Sequence, residues 1–146
     1  ARVIAQRALA MATSPAAQAL FIVGHGPNSA EDHAAWMENL RTVADSVRAA
    51  TGFRDVKIGL VRDDAPAPVR AEAVRSVREM IQLQHDFTGQ PVVVVPVLIS
   101  KGSVSRTKIP ADLEGLPIVY TGETLLPHPE MARHIEARVR ATANGN

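Results

Sequence analysis

Short apolar runs alternate with longer stretches of mixed polarity along the chain. Four of the runs predict buried strands by their length and by the turn residues that flank them. These runs cover residues 19–23, 56–61, 91–99 and 116–120. The third is a nearly continuous series of β-branched residues, which is typical of a central strand in a parallel sheet because both faces of such a strand are buried.

Between the runs, apolar positions recur every three or four residues, which predicts amphipathic helices. The predicted helices cover residues 1–13, 30–50, 68–86 and 130–141. We expect their inward faces to include Trp36, Leu40, Val43 and Val47 in the second helix and Met131, Ile135 and Val139 in the last. Residues 100–108 carry no such pattern and are predicted to form a polar loop.

The strand–helix alternation predicts an α/β fold, a three-layer α/β/α domain with a mostly parallel four-stranded sheet. Ser14 and Pro15 interrupt the chain after the first helix. We therefore expect residues 1–15 to be a helical appendage or the end of a preceding domain, and residues 16–146 to be the α/β domain. Ligands in such folds bind beyond the carboxyl ends of the strands, which directs attention to residues 24–29, 62–66, 100–108 and 121–128.

Composition narrows the classes of partner. The chain has no cysteine, so thiolate metal sites and cysteine nucleophiles are excluded. A net charge of +1 and an aromatic content of 3% predict no nucleic-acid partner. No apolar run is long enough to span a bilayer, so no membrane partner is expected. Transition-metal binding would depend on imidazole and carboxylate groups.

The richest candidate for chemistry is Gly24-His25-Gly26, which follows the first predicted strand. The two glycines allow a sharp turn and the close approach of a bulky ligand. An imidazole in that place can bind a metal or transfer a proton near neutral pH. The alternative interpretation is a histidine that is simply hydrogen-bonded within a tight turn, and the residues alone leave both open.

Four segments in this order resemble the small class II tetrapyrrole chelatases, and in particular the sirohydrochlorin cobaltochelatase family. They are residues 20–26, residues 93–98, Ile109-Pro110 and residues 126–129. The resemblance implies a chelatase-like fold in which His25 is catalytic, holding the metal and assisting the loss of the pyrrole protons. It implies a carboxylate-rich tetrapyrrole as the partner, a divalent metal as substrate (Co²⁺ first, with Ni²⁺ and Fe²⁺ as alternatives), no organic cofactor and a cytoplasmic location.

The chain departs from the family pattern after the valine-rich strand. The family has a second histidine there, whereas this chain has Ser103 or Val104, and Lys108 stands at an acidic position. One explanation is that Glu123 supplies a carboxylate to the metal in place of the imidazole. The other is that catalytic residues are divided between two chelatase-like units, through a tandem form of which this is the C-terminal half or through a homodimer.

Basic residues crowd the predicted ligand side. Such a rim would attract and orient a substrate with many carboxylates, although a solvated surface is the simpler interpretation. The predicted substrate-binding residues are Gly24, Gly26, Ser103, Lys101, Arg106, Lys108 and Arg62. Asp63 and Asp64 are expected only to end the second strand and begin the next turn.

Three functions follow from these patterns. The first is a chelatase that inserts a divalent metal into a tetrapyrrole in cobalamin- or sirohaem-type biosynthesis. The second is a non-catalytic metal- or tetrapyrrole-binding domain, or the degenerate half of a tandem enzyme. The third is a flavodoxin-like or phosphate-binding domain, which is less favoured because Pro27 removes a backbone N–H from the first loop.

Overall fold

A computed structural model describes residues 1–143 of the chain. Its helices are α1 (Arg2–Met11), α2 (Ala30–Thr51), α3 (Ala67–Thr88), the short α4 (Ile109–Asp112) and α5 (Pro129–Ala143). Its strands are β1 (Ala19–Gly24), β2 (Asp55–Leu60), β3 (Val92–Val97) and β4 (Ile118–Val119). A π-helical turn over Val104–Lys108 leads directly into α4. No helix among these residues combines the length and apolar character that crossing a bilayer requires.

The four strands form one parallel sheet in the order β2-β1-β3-β4. β1 lies inside the sheet and all of its residues are buried, which suits its uninterrupted apolar sequence. Gly24, the last residue of β1, is in register with Leu60 of β2 and with Val97 of β3. The carboxyl ends of these three strands therefore meet at one edge, and the predicted three-layer α/β fold with a parallel sheet is confirmed.

Helices cover both faces of the sheet. On one face, α1 and α2 bury Ile4, Ala8, Leu40 and Val47 against β1, β2 and β3. On the other, α3 contributes Val77 and Ile81 to a second apolar cluster, and α4 with the residue after it contributes Ile109 and Leu113. Because α1 packs into the same core as α2, the first helix is part of this α/β unit in the structure. That it ends a preceding domain stays a prediction.

Turn chemistry sets the bounds of the two long helices. The Ser29 hydroxyl accepts a hydrogen bond from the backbone N–H of Asp32 at 3.0 Å and so caps the start of α2. Gly52 and Gly89 follow the last residues of α2 and α3, and their φ angles of +69° and +66° lie in the left-handed region that glycine tolerates best.

The structure corrects three sequence predictions. Residues 100–108 are not simply a polar loop, because the π-helical turn starts at Val104 and is fixed by Ser105, whose backbone oxygen accepts a 2.7 Å hydrogen bond from the Tyr120 hydroxyl. Trp36 was expected to face inward but is 43% exposed and lines an open cavity at the carboxyl ends of the strands. Ile135 and Val139 were also expected inward, but α5 buries none of its residues.

Candidate metal centre

His25 stands where β1 ends, with 27% of its side chain exposed. Its Nδ1 lies 3.0 Å from the backbone oxygen of Gly26. A carbonyl oxygen only accepts hydrogen bonds, so this contact requires that Nδ1 carry the proton. In the neutral imidazole, Nε2 then holds the free lone pair. The contact thus leaves Nε2 as the ring atom that could bind a metal.

Two carboxylates face that lone pair. Nε2 of His25 lies 3.4 Å from Oδ2 of Asp64 and 3.9 Å from Oδ2 of Asp63. One ligand atom from each residue lies within 4.8 Å of the other two. Three electron-pair donors in so small a space repel one another unless a proton or a cation lies between them. One imidazole with two carboxylates is a ligand set that suits divalent first-row metals.

The parallel pairing of β1 with β2 brings these residues together. Beyond the last paired residues, the N–H of Val61 donates to the oxygen of Gly24 at 3.0 Å, and the N–H of Arg62 donates to the oxygen of His25 at 2.6 Å. The chain leaving β2 therefore runs alongside the turn that carries His25. This places Asp63 and Asp64, the next two residues, opposite the imidazole.

Gly26 and Arg62 shape this turn. Gly26 has a φ of +84°, which is strained for any residue with a side chain. A Cβ there would also lie only 3.0 Å from Cβ of Leu60. The Arg62 guanidinium donates to three successive backbone oxygens, those of Pro27, Asn28 and Ser29. Arg62 therefore holds the loop after β1 in place, and its contact with substrate stays a prediction.

Asp63 is the buried member of the pair, with 3% of its side chain exposed. Lys108 Nζ lies 2.5 Å from its Oδ2, and Arg70 Nε lies 3.2 Å from its Oδ1. Arg70 also contacts both carboxylate oxygens of Asp112, at 2.8 and 2.9 Å. Burial acts to raise the pKa of Asp63, but the hydrogen bonds and charges of Lys108 and Arg70 together outweigh it and lower the pKa.

A cavity of about 400 Å³ lies beside His25. Its wall is formed by the imidazole, by Trp36 and by the chain that leaves β3. Ser103 and Val104, the residues at the position of the family's second histidine, are both part of this wall. The loop after β3 therefore lies beside His25, and it presents hydroxyl and apolar groups where the family pattern has an imidazole.

A second cavity of about 390 Å³ adjoins the first at Ser105, which contributes to both walls. Lys101 and Arg106 line it together with Tyr120. Burial raises the pKa of the Tyr120 phenol to about 12, so this group stays neutral at physiological pH. Of the predicted basic rim, Lys101 and Arg106 thus border this second cavity, whereas Lys108 contacts Asp63.

Glu123 is not one of the three residues that could hold a metal beside His25 among those that the structure describes. Its carboxylate forms ion pairs with Lys101 and with Arg7, the latter at 3.3 Å. The hydrogen bond from Lys101 is the main reason that the pKa of Glu123 is lowered. The group that could hold a metal contains His25, Asp63 and Asp64, and among the described residues Glu123 is not one of its members. Glu123 as a ligand accordingly stays a prediction that this arrangement does not favour.

The two aspartates are the site residues that sequence reasoning missed. They were expected only to end a strand, yet they supply the carboxylates closest to His25 Nε2. A signal was present, because an acidic pair follows the strand that neighbours β1, with only Val61 and Arg62 between them. Recognising this acidic pair as part of the site requires the strand order, which places residues 62–66 beside residues 24–29.

Comparison with known proteins identifies the family of the chain. No curated protein sequence matches the chain significantly. The CbiX family model matches residues 19–142, which include every strand, His25 and both aspartates. CbiX is the family of sirohydrochlorin cobaltochelatases and related class II chelatases, whose function requires a divalent metal and a tetrapyrrole as substrates. With a match over most of its length, the chain belongs to the CbiX family of class II tetrapyrrole chelatases.

Proposed function

We propose that the chain binds a divalent metal through His25, Asp63 and Asp64 and delivers it to a tetrapyrrole held in the adjoining cavity. Co²⁺ is the first candidate, with Ni²⁺ and Fe²⁺ as alternatives, and a sirohydrochlorin-type macrocycle in cobalamin or sirohaem synthesis is the acceptor. The observation that carries the proposal is the convergence of Nε2 with two carboxylate oxygens at a histidine that also lines an open cavity. The cytoplasm is the proposed compartment.

The ligand set suits a metal that has to be passed on. One nitrogen and two oxygens leave coordination positions for water or for an incoming pyrrole nitrogen. His25 belongs to both features, since its Nε2 faces both carboxylates and its side chain lines the cavity wall. An ion held at Nε2 would therefore lie beside a residue of the cavity wall, from which it can pass to the macrocycle.

Insertion also releases two pyrrole protons, which need acceptors. Asp64 is 65% exposed, and His25 is the only charged or titratable group with which it pairs within residues 1–143. Its carboxylate can accept a proton and pass it to solvent. The imidazole becomes available as a second acceptor once the metal has left Nε2.

Among the basic residues, Arg106 is the strongest candidate to bind a substrate carboxylate. Lys101 is paired with Glu123 and Lys108 with Asp63, whereas the Arg106 side chain forms no ion pair with any of residues 1–143. A guanidinium can grip a carboxylate through two parallel hydrogen bonds. Lys101, Lys108, Ser103 and the two glycines around His25 complete the proposed binding surface.

The second candidate function is binding without insertion, either by a metal- or tetrapyrrole-binding domain or by one half of a tandem or dimeric chelatase. The observation in its favour is the cavity wall opposite His25, where Ser103 and Val104 offer no strong ligand for cobalt or nickel. A second chelatase-like unit facing this cavity would supply the missing imidazole.

An insertion assay distinguishes the two functions. Sirohydrochlorin and Co²⁺ are mixed anaerobically with the protein, and the absorbance change on insertion is compared for wild type and for His25→Ala. The matched control is His134→Ala, which removes an exposed histidine of α5. The chelatase proposal predicts at least about a hundredfold lower rate for His25→Ala alone, because even the partners of metal ligands contribute 10–100-fold. Equal rates in wild type and His25→Ala would refute it, and binding without turnover would indicate the second function.

A further inference from the structure

One cation already occupies part of the candidate metal centre. The Lys108 ammonium lies 2.5 Å from Oδ2 of Asp63, the same oxygen that faces Nε2 of His25. Lys108 comes from the end of the π-helical turn, and its side chain is 45% exposed. It forms no other ion pair with the described residues. The metal centre thus contains an internal positive charge on one of its three prospective ligands.

A metal and this ammonium cannot share Asp63 without strong repulsion. First-row divalent ions bind carboxylate oxygens at about 2.0–2.2 Å. With Nζ at 2.5 Å from the same oxygen, the two cations would lie no farther apart than about 4.7 Å, the sum of the two bonds. A charge of +2 facing a charge of +1 at that separation is strongly unfavourable in a partly buried site.

Lysine is able to leave while the carboxylate stays in place. The four-carbon stem of a half-exposed lysine lets its ammonium move into water at small cost. Arg70 holds the other oxygen of Asp63, Oδ1, and is itself fixed by two contacts with Asp112. Departure of Lys108 therefore frees Oδ2 without releasing the orientation of the carboxylate.

On the basis of the proposed function, we propose that Lys108 is an exchangeable counter-cation of the metal centre. It neutralises Asp63 in the metal-free protein, moves aside when a divalent ion binds, and returns when the ion passes to the acceptor. The exchange weakens metal binding and thereby favours release. Arg70 acts as a positioning residue that keeps Asp63 directed at the metal in both states.

Calorimetric titration with Co²⁺ alone tests this role. Lys108→Met removes the charge and keeps the length of the side chain, so we expect Co²⁺ to bind about tenfold more tightly than to wild type. Lys108→Arg retains a cation and should bind within about twofold of wild type. The matched control is Lys57→Met, since Lys57 is a similarly exposed lysine paired with Asp55 at the opposite end of β2. Its affinity should equal that of wild type.

The outcomes separate this inference from the proposed function. Co²⁺ binding that His25→Ala abolishes, with equal or weaker affinity in Lys108→Met, would overturn the role of Lys108 and leave the metal centre intact. Binding that survives His25→Ala, or no binding by any variant, would overturn both. Circular dichroism verifies the fold of each variant, and Lys108→Gln replaces Lys108→Met if the latter is unfolded.

Discussion

Replacing Asp63 with asparagine tests the charge network behind the metal centre, because this carboxylate is almost fully buried between two cations. Asp63→Asn removes charge-assisted hydrogen bonds from Lys108 and Arg70, each worth about 1.5–3 kcal/mol. Part of this free energy is recovered, since the amide oxygen of asparagine still accepts a hydrogen bond and the ammonium of the half-exposed Lys108 is hydrated again. We expect a net loss of about 2 kcal/mol in the free energy of unfolding. For a chain of this size, that lowers the melting temperature by about 4–8 °C.

The difference in stability between wild type and Asp63→Asn should depend on pH, with a definite sign. The pKa of Asp63 is lowered in the folded protein, so its stabilising charge is fully effective above its unfolded pKa of about 3.9. The contribution is lost as the pH falls from about 4 through the lowered folded pKa. Wild type should therefore exceed Asp63→Asn in stability at pH 7, and the gap should narrow at about pH 2.5.

Thermal unfolding followed by circular dichroism, with a chelator present to remove metal effects, measures both quantities. The matched control is Asp64→Asn, which alters a carboxylate that is 65% exposed and should change stability by less than about 0.5 kcal/mol. Equal melting temperatures for wild type and Asp63→Asn at pH 7 would refute the network. So would a gap that stays constant between the two pH values.

Three further predictions concern the surroundings of the site. Gly24→Ala should lower the free energy of unfolding, measured in urea, by about 1–3 kcal/mol, because the new Cβ would lie 2.7 Å from Leu60 Cδ2. Gly102→Ala, whose Cβ would have open space around it, should leave the free energy of unfolding unchanged. Equal losses of stability in the two variants would contradict the packing argument. Arg62→Met should release the loop of residues 25–29 and speed its proteolysis at least about tenfold, since three backbone oxygens lose their hydrogen-bond donors. An unchanged cleavage rate would show that the loop does not depend on the Arg62 hydrogen bonds. The single tyrosine, Tyr120, should titrate at about pH 12 in absorbance at the phenolate band, and ionisation near pH 10 would show that its ring is not buried.

The sequence predicted the architecture because each strand carries its own signal. The β-branched run became β3, and the buried run before Gly24 became β1, with His25 at its carboxyl end as expected. The CbiX match supports the resemblance seen in those same segments. Local patterns sufficed here since a strand buried on both faces has to be apolar throughout.

The partners of His25 could not be predicted in the same way. Asp63 faces the imidazole only because β2 pairs with β1 in a register that aligns Leu60 with Gly24, and strand order is a property of the whole fold. The π-helical turn was missed because residues 100–108 are polar and have no helical period. Trp36 and Ile135 show the opposite error, since an apolar position on a helix faces inward only where the helix lies over the sheet.

The most direct test of the metal centre is a crystal structure with Co²⁺ bound, in which anomalous scattering locates the ion. The account predicts one peak per chain at about 2.0–2.2 Å from Nε2 of His25 and from carboxylate oxygens of Asp63 and Asp64. It also predicts that Lys108 Nζ has moved away from Asp63. A peak beside Glu123 with none at His25, or no ordered ion under conditions in which the protein binds Co²⁺ in solution, would contradict it.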